Sequence, residues 1–421
     1  MLLKIKIKLN NNETILRYIH DLVKPKFSMD ERLHDIRTVA ESIFAIEDVL
    51  HSGNEISEVE IPLHKNYTKL PSLIEQLLFF LFGKSIKIIE KSTNLQTLLS
   101  HSEIKLKNDI TSLFSGGIDS FVGTMGAKNY FKTKVFGAFT LHTDQKISKL
   151  IRKLENGPFK KHEINIIPIE SQSHKKYIRR SRGLLYILNS MLLGNRNMII
   201  SECGVTMYQP KFTVLDEVTF TTHPKVLNSC KDILNEIMQE KINLIKPAEN
   251  LTKAEVCSNN EDIKNLLETF SCWRTMFCNR KKSHCGVCYS CVIRRLGMLV
   301  AGYDETGKYI NDIFIKSNLD GRQINNAVCL LNFSLEFLDN PESLPWITKG
   351  IIFDYNKKKL FERFSLDNLV ALLIFRNHKN LNDKIFNKKL DQAIDIVGKD
   401  KLENRISEVR EKKFNMNFSS L

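Results

Sequence analysis

The chain has 421 residues, enough for roughly two or three domains, and its 42% hydrophobic and 26% charged residues are typical of a folded globular protein. The longest apolar run, residues 73–83, is too short to cross a bilayer, and no signal peptide opens the sequence, so we expect a cytoplasmic protein without a membrane partner. The formal charge of +14 favours polyanionic partners and leaves nucleic-acid binding open, although lysine is spread along the whole chain.

Residues 1–105 are predicted to form an α+β domain. Leucine and isoleucine alternate with lysine over residues 3–9, the period-two pattern of a half-buried strand. Further elements are predicted in chain order: a helix over 30–51, a strand over 57–63, a helix over 71–83 and a strand over 84–90. This region shows no catalytic set of residues.

Residues 106–304 alternate between strand and helix patterns. The predicted strands lie at 109–114, 134–142, 162–169, 197–202 and 241–247. The predicted helices lie near 119–131, 145–156, 176–193 and 223–240. This alternation predicts an α/β domain with a doubly wound, parallel, five-stranded sheet, which places ligands at the carboxyl ends of its strands.

Residues 305–421 are predicted to be mainly helical. Residues 364–375 and 382–412 have the periodicity of amphipathic helices. The charged stretch over 402–414 is expected to be exposed to solvent.

A glycine loop, SGGIDS, begins at Ser115, where the first strand of the alternating region meets its first helix. Backbone amides at a helix N-terminus bind phosphate, and Gly116 and Gly117 allow the backbone to approach it closely. The hydroxyls of Ser115 and Ser120 can add donors. Asp119 can reach a phosphate only through Mg²⁺; otherwise it caps the helix. The alternative is a simple glycine turn with an aspartate cap.

Five of the nine cysteines lie within 20 residues. Cys285, Cys288 and Cys291 have the C-x2-C-x2-C spacing of a zinc site, and the fourth ligand is either Cys272 or Cys278. Four thiolates would close the site and make it structural. The alternatives are an iron–sulfur cluster and reduced cysteines without metal. Four nearby basic residues are expected to stabilise the thiolates: Lys281, Lys282, Arg294 and Arg295.

SGGIDS resembles the SGGxDS motif of the PP-loop ATP pyrophosphatases, which adenylate a substrate oxygen and release pyrophosphate. The resemblance implies an ATP site with Mg²⁺ formed by Ser115, Gly116, Gly117, Asp119 and Ser120. It also places adenine near His142. Asp119, Ser120 and Lys253 are the implied catalytic residues.

The glycine loop and the cysteine cluster together are similar to QueC, the 7-cyano-7-deazaguanine synthase family. The resemblance covers residues 106–304 and implies Zn²⁺ bound by Cys272, Cys285, Cys288 and Cys291. The gap between Cys272 and Cys285 is longer than is typical of QueC, so Cys278 remains the alternative to Cys272 as the fourth ligand.

Weaker resemblances imply a purine-binding set. RRSRGLLYILNSMLLG resembles a substrate helix and implicates Arg180 and Arg182. SECGVTMYQP resembles an E-N-G segment and implicates Glu202 and Gly204, with Cys203 in place of asparagine. The alternative for Glu202 is a surface carboxylate. Cys203 is expected to be a packing residue.

Lys253 lies in LTKAEV and would meet a phosphate or carboxylate. The alternative for Lys253 is a solvated lysine at a helix start, and the alternative for His142 is an exposed histidine.

The flanking regions make the whole chain similar to the QueC-like proteins of bacterial anti-phage systems, in particular the QatC components of Qat systems. This implies adenylation of a 7-carboxy-7-deazaguanine, attack by ammonia or a protein amine, and partner proteins of a defence system. Two other functions stay open: a tRNA-modifying PP-loop enzyme and a non-catalytic nucleotide-binding or nucleic-acid-binding module.

Overall fold

A computed structural model provides the structure of the protein. It describes residues 3–11, 13–19, 23–24, 30–93, 110–132, 135–141, 145–171, 180–208, 210, 219–260, 262–272, 283–316, 320–343, 354–378, 381 and 384–419. Within these residues, no helix is both long enough and apolar enough to cross a membrane.

The strands and helices are numbered here in chain order. The strands are β1 (Leu3–Leu9), β2 (Thr14–Ile19), β3 (Val23–Lys24), β4 (Ile56–Leu63), β5 (Lys87–Ser92), β6 (Ile110–Leu113), β7 (Val135–Leu141), β8 (Asn165–Ser171), β9 (Asn197–Ile199) and β10 (Asn243–Ile245). The helices are α1 (Glu31–His51), α2 (Leu70–Phe82), α3 (Ile118–Phe131), α4 (Gln145–Glu155), α5 (Pro158–Lys161), α6 (Arg182–Ser190), α7 (Gly204–Tyr208), α8 (Pro224–Met238), α9 (Lys253–Ser258), α10 (Ile263–Leu266), α11 (Tyr289–Val300), α12 (Gly321–Asp339), α13 (Tyr355–His378), α14 (Lys384–Val397) and α15 (Lys399–Glu411).

A four-stranded sheet near the amino terminus has the order β2-β1-β4-β5. In β1, Ile5, Ile7 and Leu9 are buried on one face while the lysines between them are exposed, as the alternation predicts. The predicted helices and strands that follow it correspond to α1, β4, α2 and β5. The strand β2 was not predicted, because Leu16 is exposed and the segment lacks a clean alternation. Its position is set by antiparallel pairing with β1.

The helix α1 is buried on nearly all sides. It packs on β4 and also against α6 and α8 of the central region. One apolar cluster therefore runs from β1 and α1 into α6 and α8. This position explains why α1 buries charged residues such as Asp35, Glu41 and Glu47.

The central sheet has the order β10-β9-β6-β7-β8-β3. The strands β6 to β10 pair in parallel and correspond to the five predicted strands. The prediction of five strands needs a correction, because β3 adds a sixth, antiparallel strand beside β8. Two residue pairs hold β3, and so short a strand has no periodic signal in the sequence. The chain adds β7 and β8 on one side of β6 and returns to add β9 and β10 on the other.

The carboxyl-terminal region consists of α12, α13, α14 and α15 in its described part. One expectation for it was wrong, and a second holds only in part. The helix α13 is buried on all sides over residues 364–375 instead of being amphipathic, because α11, α12, α14 and α15 surround it. The segment 402–414 is not simply exposed, since Leu402, Arg405 and Val409 are buried.

The contact between α3 and the end of β9 gives a stability prediction. A Cβ atom at Gly123 would lie 1.8 Å from the Ser201 Oγ and 2.2 Å from its Cβ. Gly123→Ala should therefore lower the free energy of unfolding by about 1–3 kcal/mol through overpacking. Gly321→Ala is the matched control, because nothing lies within 4 Å of that position. Urea unfolding of both variants measures the difference, and equal midpoints would contradict the close contact.

Candidate functional site

The loop between β6 and α3 folds around its own hydroxyl groups. Gly116 has a φ of +82°, which side chains disfavour, and Gly117 is the N-cap of α3. The Ser120 Oγ donates to the Gly117 carbonyl oxygen at 3.0 Å and accepts from the Ser115 amide at 3.2 Å. The helix α3 therefore begins directly after two glycines, an arrangement that exposes amides to a phosphate.

Asp119 and Lys253 form an ion pair at the start of α3. The Asp119 Oδ2 accepts from Lys253 and, at 3.4 Å, from the Cys203 amide. Asp119, Glu202 and Cys203 each offer a ligand atom within 4.8 Å of the others. Asp119, Glu202 and Lys253 are far apart in the sequence, yet the carboxyl ends of β6 and β9 and the start of α9 bring them together.

Burial controls the protonation of this cluster. Burial, with the nearby Asp119 carboxylate, raises the pKa of Glu202 to about 7, so this group exchanges its proton near neutral pH. Burial and Asp119 also raise the pKa of Cys203 to about 12, which keeps the thiol protonated and unreactive. Burial alone would lower the pKa of Lys253, but Asp119, Cys203 and Glu202 outweigh it and raise that pKa. Lys253 is therefore a fixed positive charge.

One buried oxygen of the cluster has no hydrogen-bond partner among the described residues. This atom is the Asp119 Oδ1, which remains available while Oδ2 contacts Lys253. Glu202 offers a second carboxylate within 4.8 Å. Magnesium prefers such oxygen ligands and usually completes its shell with water and substrate phosphates. The carboxylates of Asp119 and Glu202 therefore fit Mg²⁺, and the Asp119 Oδ1 would be one of its ligands.

The position of Lys253 is fixed by the start of α9. The Thr252 hydroxyl accepts from the Glu255 amide, and the Glu255 carboxylate accepts from the Thr252 amide at 3.0 Å, forming a capping box. A Cβ atom at Gly297 of α11 would come within 2.7 Å of the Lys253 Cγ, so α11 packs directly on the lysine stem. The alternative of a solvated lysine at a helix start is wrong, because only 14% of the Lys253 side chain is exposed.

Buried ion pairs join α9 to the carboxyl-terminal helices. Arg405 of α15 donates to Glu255 at 2.6 Å and to Asp367 of α13 at 2.8 Å. Asp367 also accepts from the Thr252 hydroxyl, and Arg363 donates to Glu255 at 2.8 Å. Both residues of the capping box are therefore bonded to α13 or α15.

Four cysteines meet in the interior beside α11. The Sγ atoms of Cys272, Cys285, Cys288 and Cys291 lie within 4.8 Å of one another, and all four residues are buried. The Cys285 and Cys291 Sγ atoms are 3.8 Å apart. Two sulfurs bound to one tetrahedral zinc at about 2.3 Å would be about 3.8 Å apart, so the cluster fits Zn²⁺. The structure thus places Cys272 with the other three, and Cys278 lies outside the described residues.

The backbone around Cys285 and Cys288 makes this convergence possible. Gly286 has a φ of +84°, and a Cβ atom there would lie 1.7 Å from the Asn311 carbonyl oxygen. Cys288 is the N-cap of α11, and Cys291 lies in its first turn. The partial positive charge of a helix N-terminus stabilises thiolates.

The cysteine segment is bonded directly to the glycine loop. The Phe270 amide donates to the Gly116 carbonyl oxygen at 2.8 Å. The neighbouring Ser271 Oγ would lie 3.7 Å from a Cβ atom on Gly117. Arg294 holds this segment, because it donates to Thr269 at 2.9 Å and to Ser271 at 3.2 Å.

The basic residues near the cysteines have other partners than thiolates. Arg294 forms an ion pair with Glu305 at 2.6 Å, and Arg295 forms one with Asp312 at 3.0 Å. Both arginines are buried, so their charges are balanced by carboxylates. Lys281 and Lys282 lie outside the described residues.

The remaining predicted site residues are Arg180, Gly204, Arg182 and His142. Arg180 donates from Nη1 to the Leu81 carbonyl oxygen, and its amide donates to Glu47 at 2.7 Å, so it contacts the amino-terminal region. Gly204 is buried, and a Cβ atom there would lie 2.0 Å from the Glu249 carbonyl oxygen, which shows a close backbone contact.

Arg182 is exposed, and its guanidinium lies 5.6 Å from the centre of the Tyr186 ring. His142 lies outside the described residues. The substrate and adenine roles of Arg180, Gly204, Arg182 and His142 stay predictions.

Three contributors to the site were missed from the sequence. The capping box could have been recognised in the sequence TKAE, because Thr252 and Glu255 have the required spacing. Ser271 directly precedes the predicted zinc ligand Cys272, which indicated that it lies close to the cysteine cluster. Nothing in the local sequence indicated that Arg405 belongs to the site, because its partners Asp367 and Glu255 are 38 and 150 residues away.

The buried ion pairs give a second stability prediction. Arg405→Met should cost about 3–5 kcal/mol of unfolding free energy, because the buried Asp367 carboxylate loses its arginine partner and Glu255 keeps only Arg363. Arg376→Met is the matched control: its pair with Asp391 is largely exposed and should be worth less than about 1 kcal/mol. Chemical denaturation compares the two, and a loss at Arg405 as small as at Arg376 would refute the network.

The cysteine cluster gives a metal prediction. Cys272→Ser should lower the zinc content of the purified chain by one equivalent, because it removes one of four ligands. Cys257→Ser is the control, since this buried cysteine lies outside the cluster. Cys278→Ser should leave the zinc content unchanged. Elemental analysis decides, and the reverse result for Cys272 and Cys278 would assign the fourth ligand to Cys278.

Comparison with known families bears on the second half of the central region. Residues 216–302 match the family model described as "Queuosine biosynthesis protein QueC". No curated protein matches the chain. The matched residues include Lys253 and the four clustered cysteines, whereas the glycine loop lies before them. The match supports a QueC-like family and, with it, an ATP-using enzyme of the PP-loop type with nucleotide-modifying chemistry.

Proposed function

We propose that the chain is a ligase that uses ATP to activate the carboxylate of a 7-carboxy-7-deazaguanine-type purine. The carboxylate oxygen attacks the α-phosphorus of ATP, the bond to the bridging oxygen breaks, and pyrophosphate leaves. An amine then attacks the acyl carbon of the adenylate and AMP leaves, giving an amide. A second adenylation, now of the amide oxygen, would remove that oxygen as AMP and leave a nitrile.

The observation that carries this proposal is the meeting of Asp119 and Lys253 beside the glycine loop. A fixed cation and a carboxylate with a free oxygen at a helix N-terminus form a site for a polyphosphate. Lys253 belongs to the segment that matches QueC, and Asp119 belongs to SGGIDS. The two halves of the proposed ATP site therefore come from independent sequence signals.

Each side chain has a defined task in this reaction. The amides of the glycine loop bind the phosphates that leave as pyrophosphate, and Ser120 adds a hydroxyl donor. Lys253 stabilises the negative charge that develops on the leaving pyrophosphate. Asp119 and Glu202 would hold Mg²⁺, which neutralises phosphate charge when bound. If Asp119 alone binds the metal, Glu202 is suited instead to hydrogen-bond a purine edge.

The cysteine cluster is proposed to be structural. Four buried sulfurs would fill the coordination of Zn²⁺ and leave no position for substrate. Because all four sulfurs lie within 4.8 Å of one another, they suit a single ion, and a site closed by four thiolates argues against metal-assisted chemistry at the cluster. Thiolation of tRNA, the alternative reaction, is disfavoured because Cys203 is buried and its pKa is raised to about 12.

The acceptor and setting follow from resemblance. We propose that ammonia or an amine of a partner protein accepts the acyl group, in the cytoplasm and as part of an anti-phage system. The regions before residue 106 and after 304 would bind the amine donor or other system proteins. Phage challenge of cells carrying the complete system, with and without Asp119→Asn, tests that setting. Equal protection by both would refute it.

The reaction itself is tested by mass spectrometry. Purified protein is given Mg-ATP and 7-carboxy-7-deazaguanine, with and without ammonium. AMP, together with an amide or nitrile of the deazaguanine, is the expected result. If AMP forms only when tRNA replaces the purine, the tRNA-modifying alternative is correct.

Two substitutions test the assigned residues. Asp119→Asn and Lys253→Met should each lower AMP formation by about 10²–10³-fold, because each removes charge stabilisation from the transition state. Lys264→Met is the control, since this exposed lysine of α10 lies in the same matched segment. Unchanged AMP formation in Lys253→Met would remove Lys253 from the catalytic set.

A further inference from the structure

A second group of metal-binding residue types lies in the amino-terminal region, where the sequence shows no catalytic set. His34 and Asp35 lie near the start of α1, and His64 directly follows β4. Each offers one ligand atom, and these atoms lie within 4.8 Å of one another. The sequence gives no sign of the group, because 29 residues separate Asp35 from His64.

Asp35 fixes the orientation of the His64 ring. The fully buried Asp35 accepts on Oδ1 from the His64 Nδ1 and from the His64 amide, both at 2.9 Å. Its Oδ2 accepts from the Tyr67 hydroxyl at 2.8 Å. With Nδ1 as the donor, the Nε2 atom of His64 carries the lone pair. A histidine held by a carboxylate in this way is pre-oriented for a metal ion.

The His64 Nε2 is a buried acceptor without a donor. The His64 side chain is 5% exposed, and its Nε2 has no hydrogen-bond partner among the described residues. The His34 ring lies edge-on to the His64 ring, with the ring centres 4.5 Å apart. One oxygen of Glu90 is also buried without a partner, and its other oxygen accepts from the Tyr67 amide at 2.8 Å. This concentration of unsatisfied acceptors favours a cation.

We propose that His34 and His64 bind a divalent transition-metal ion such as Zn²⁺, with Asp35 as the carboxylate that orients His64. Water completes the coordination, so the ion keeps an open position. A surface cavity of about 220 Å³ is lined by Arg32 and Lys65, which lie beside these histidines in the sequence, and by Asp30 and Glu31. A simple histidine–aspartate pair would leave the His64 Nε2 unsatisfied.

The test uses the full-length chain and Co²⁺ as a spectroscopic substitute for Zn²⁺. Cobalt bound by cysteine gives an intense thiolate charge-transfer band, whereas cobalt bound by histidine gives only weaker visible bands. The wild-type chain should bind two equivalents, one of each kind. His64→Asn should bind one equivalent with the thiolate band intact. Asp35→Asn should weaken the histidine site by about 10–100-fold.

A matched variant and two contrary outcomes make the test decisive. His378→Asn, which removes an exposed histidine at the end of α13, should still bind two equivalents. Wild-type protein that binds only the thiolate equivalent would overturn the proposal, and so would folded His64→Asn that binds both. If His64→Asn does not fold, His34→Gln takes its place with the same expectations. Because the readout is metal binding alone, it is independent of the proposed ligase activity.

Discussion

The ion pair between Asp119 and Lys253 is the interaction on which the candidate site depends. Asp119 is placed by the first turn of α3, and Lys253 by the first turn of α9. Both side chains are largely buried, so neither charge would be tolerated there alone. A polyphosphate and Mg²⁺ could replace the partner of each, because Lys253 can bind a phosphate and Asp119 can bind the metal. The pair thus keeps two opposite charges in place in the free protein.

The carboxyl-terminal helices extend this constraint across the molecule. Arg405 balances Glu255 and Asp367, and these two residues bond to the backbone and side chain of Thr252, immediately before Lys253. Because buried charges that lose a partner are costly, α13 and α15 cannot easily separate from α9. The region after residue 304 therefore supports the candidate site physically.

The sequence predicted those parts of the fold that depend on local pattern. The five parallel strands could be predicted from alternating strand and helix patterns. The glycine loop and the cysteine cluster could be predicted from short motifs. Local pattern could not predict β3, which pairs through two residues only. It also failed for Arg405, because a charged residue in a charged helix appears exposed until its distant carboxylates are known. The group of His34, Asp35 and His64 was missed because His64 lies 29 residues after Asp35 in the sequence.

The cysteine cluster and the glycine loop are connected by the segment that precedes Cys272. One ion bound by the four thiolates would fix Cys272 relative to α11, and Arg294 of the same helix holds Thr269 and Ser271 by hydrogen bonds. Phe270, between these two residues, bonds to the carbonyl of Gly116. The backbone of Gly116 adopts a left-handed conformation whose amide directions matter for phosphate binding. A metal ion at the cysteine cluster, without taking part in any reaction, would therefore still determine the shape of the glycine loop.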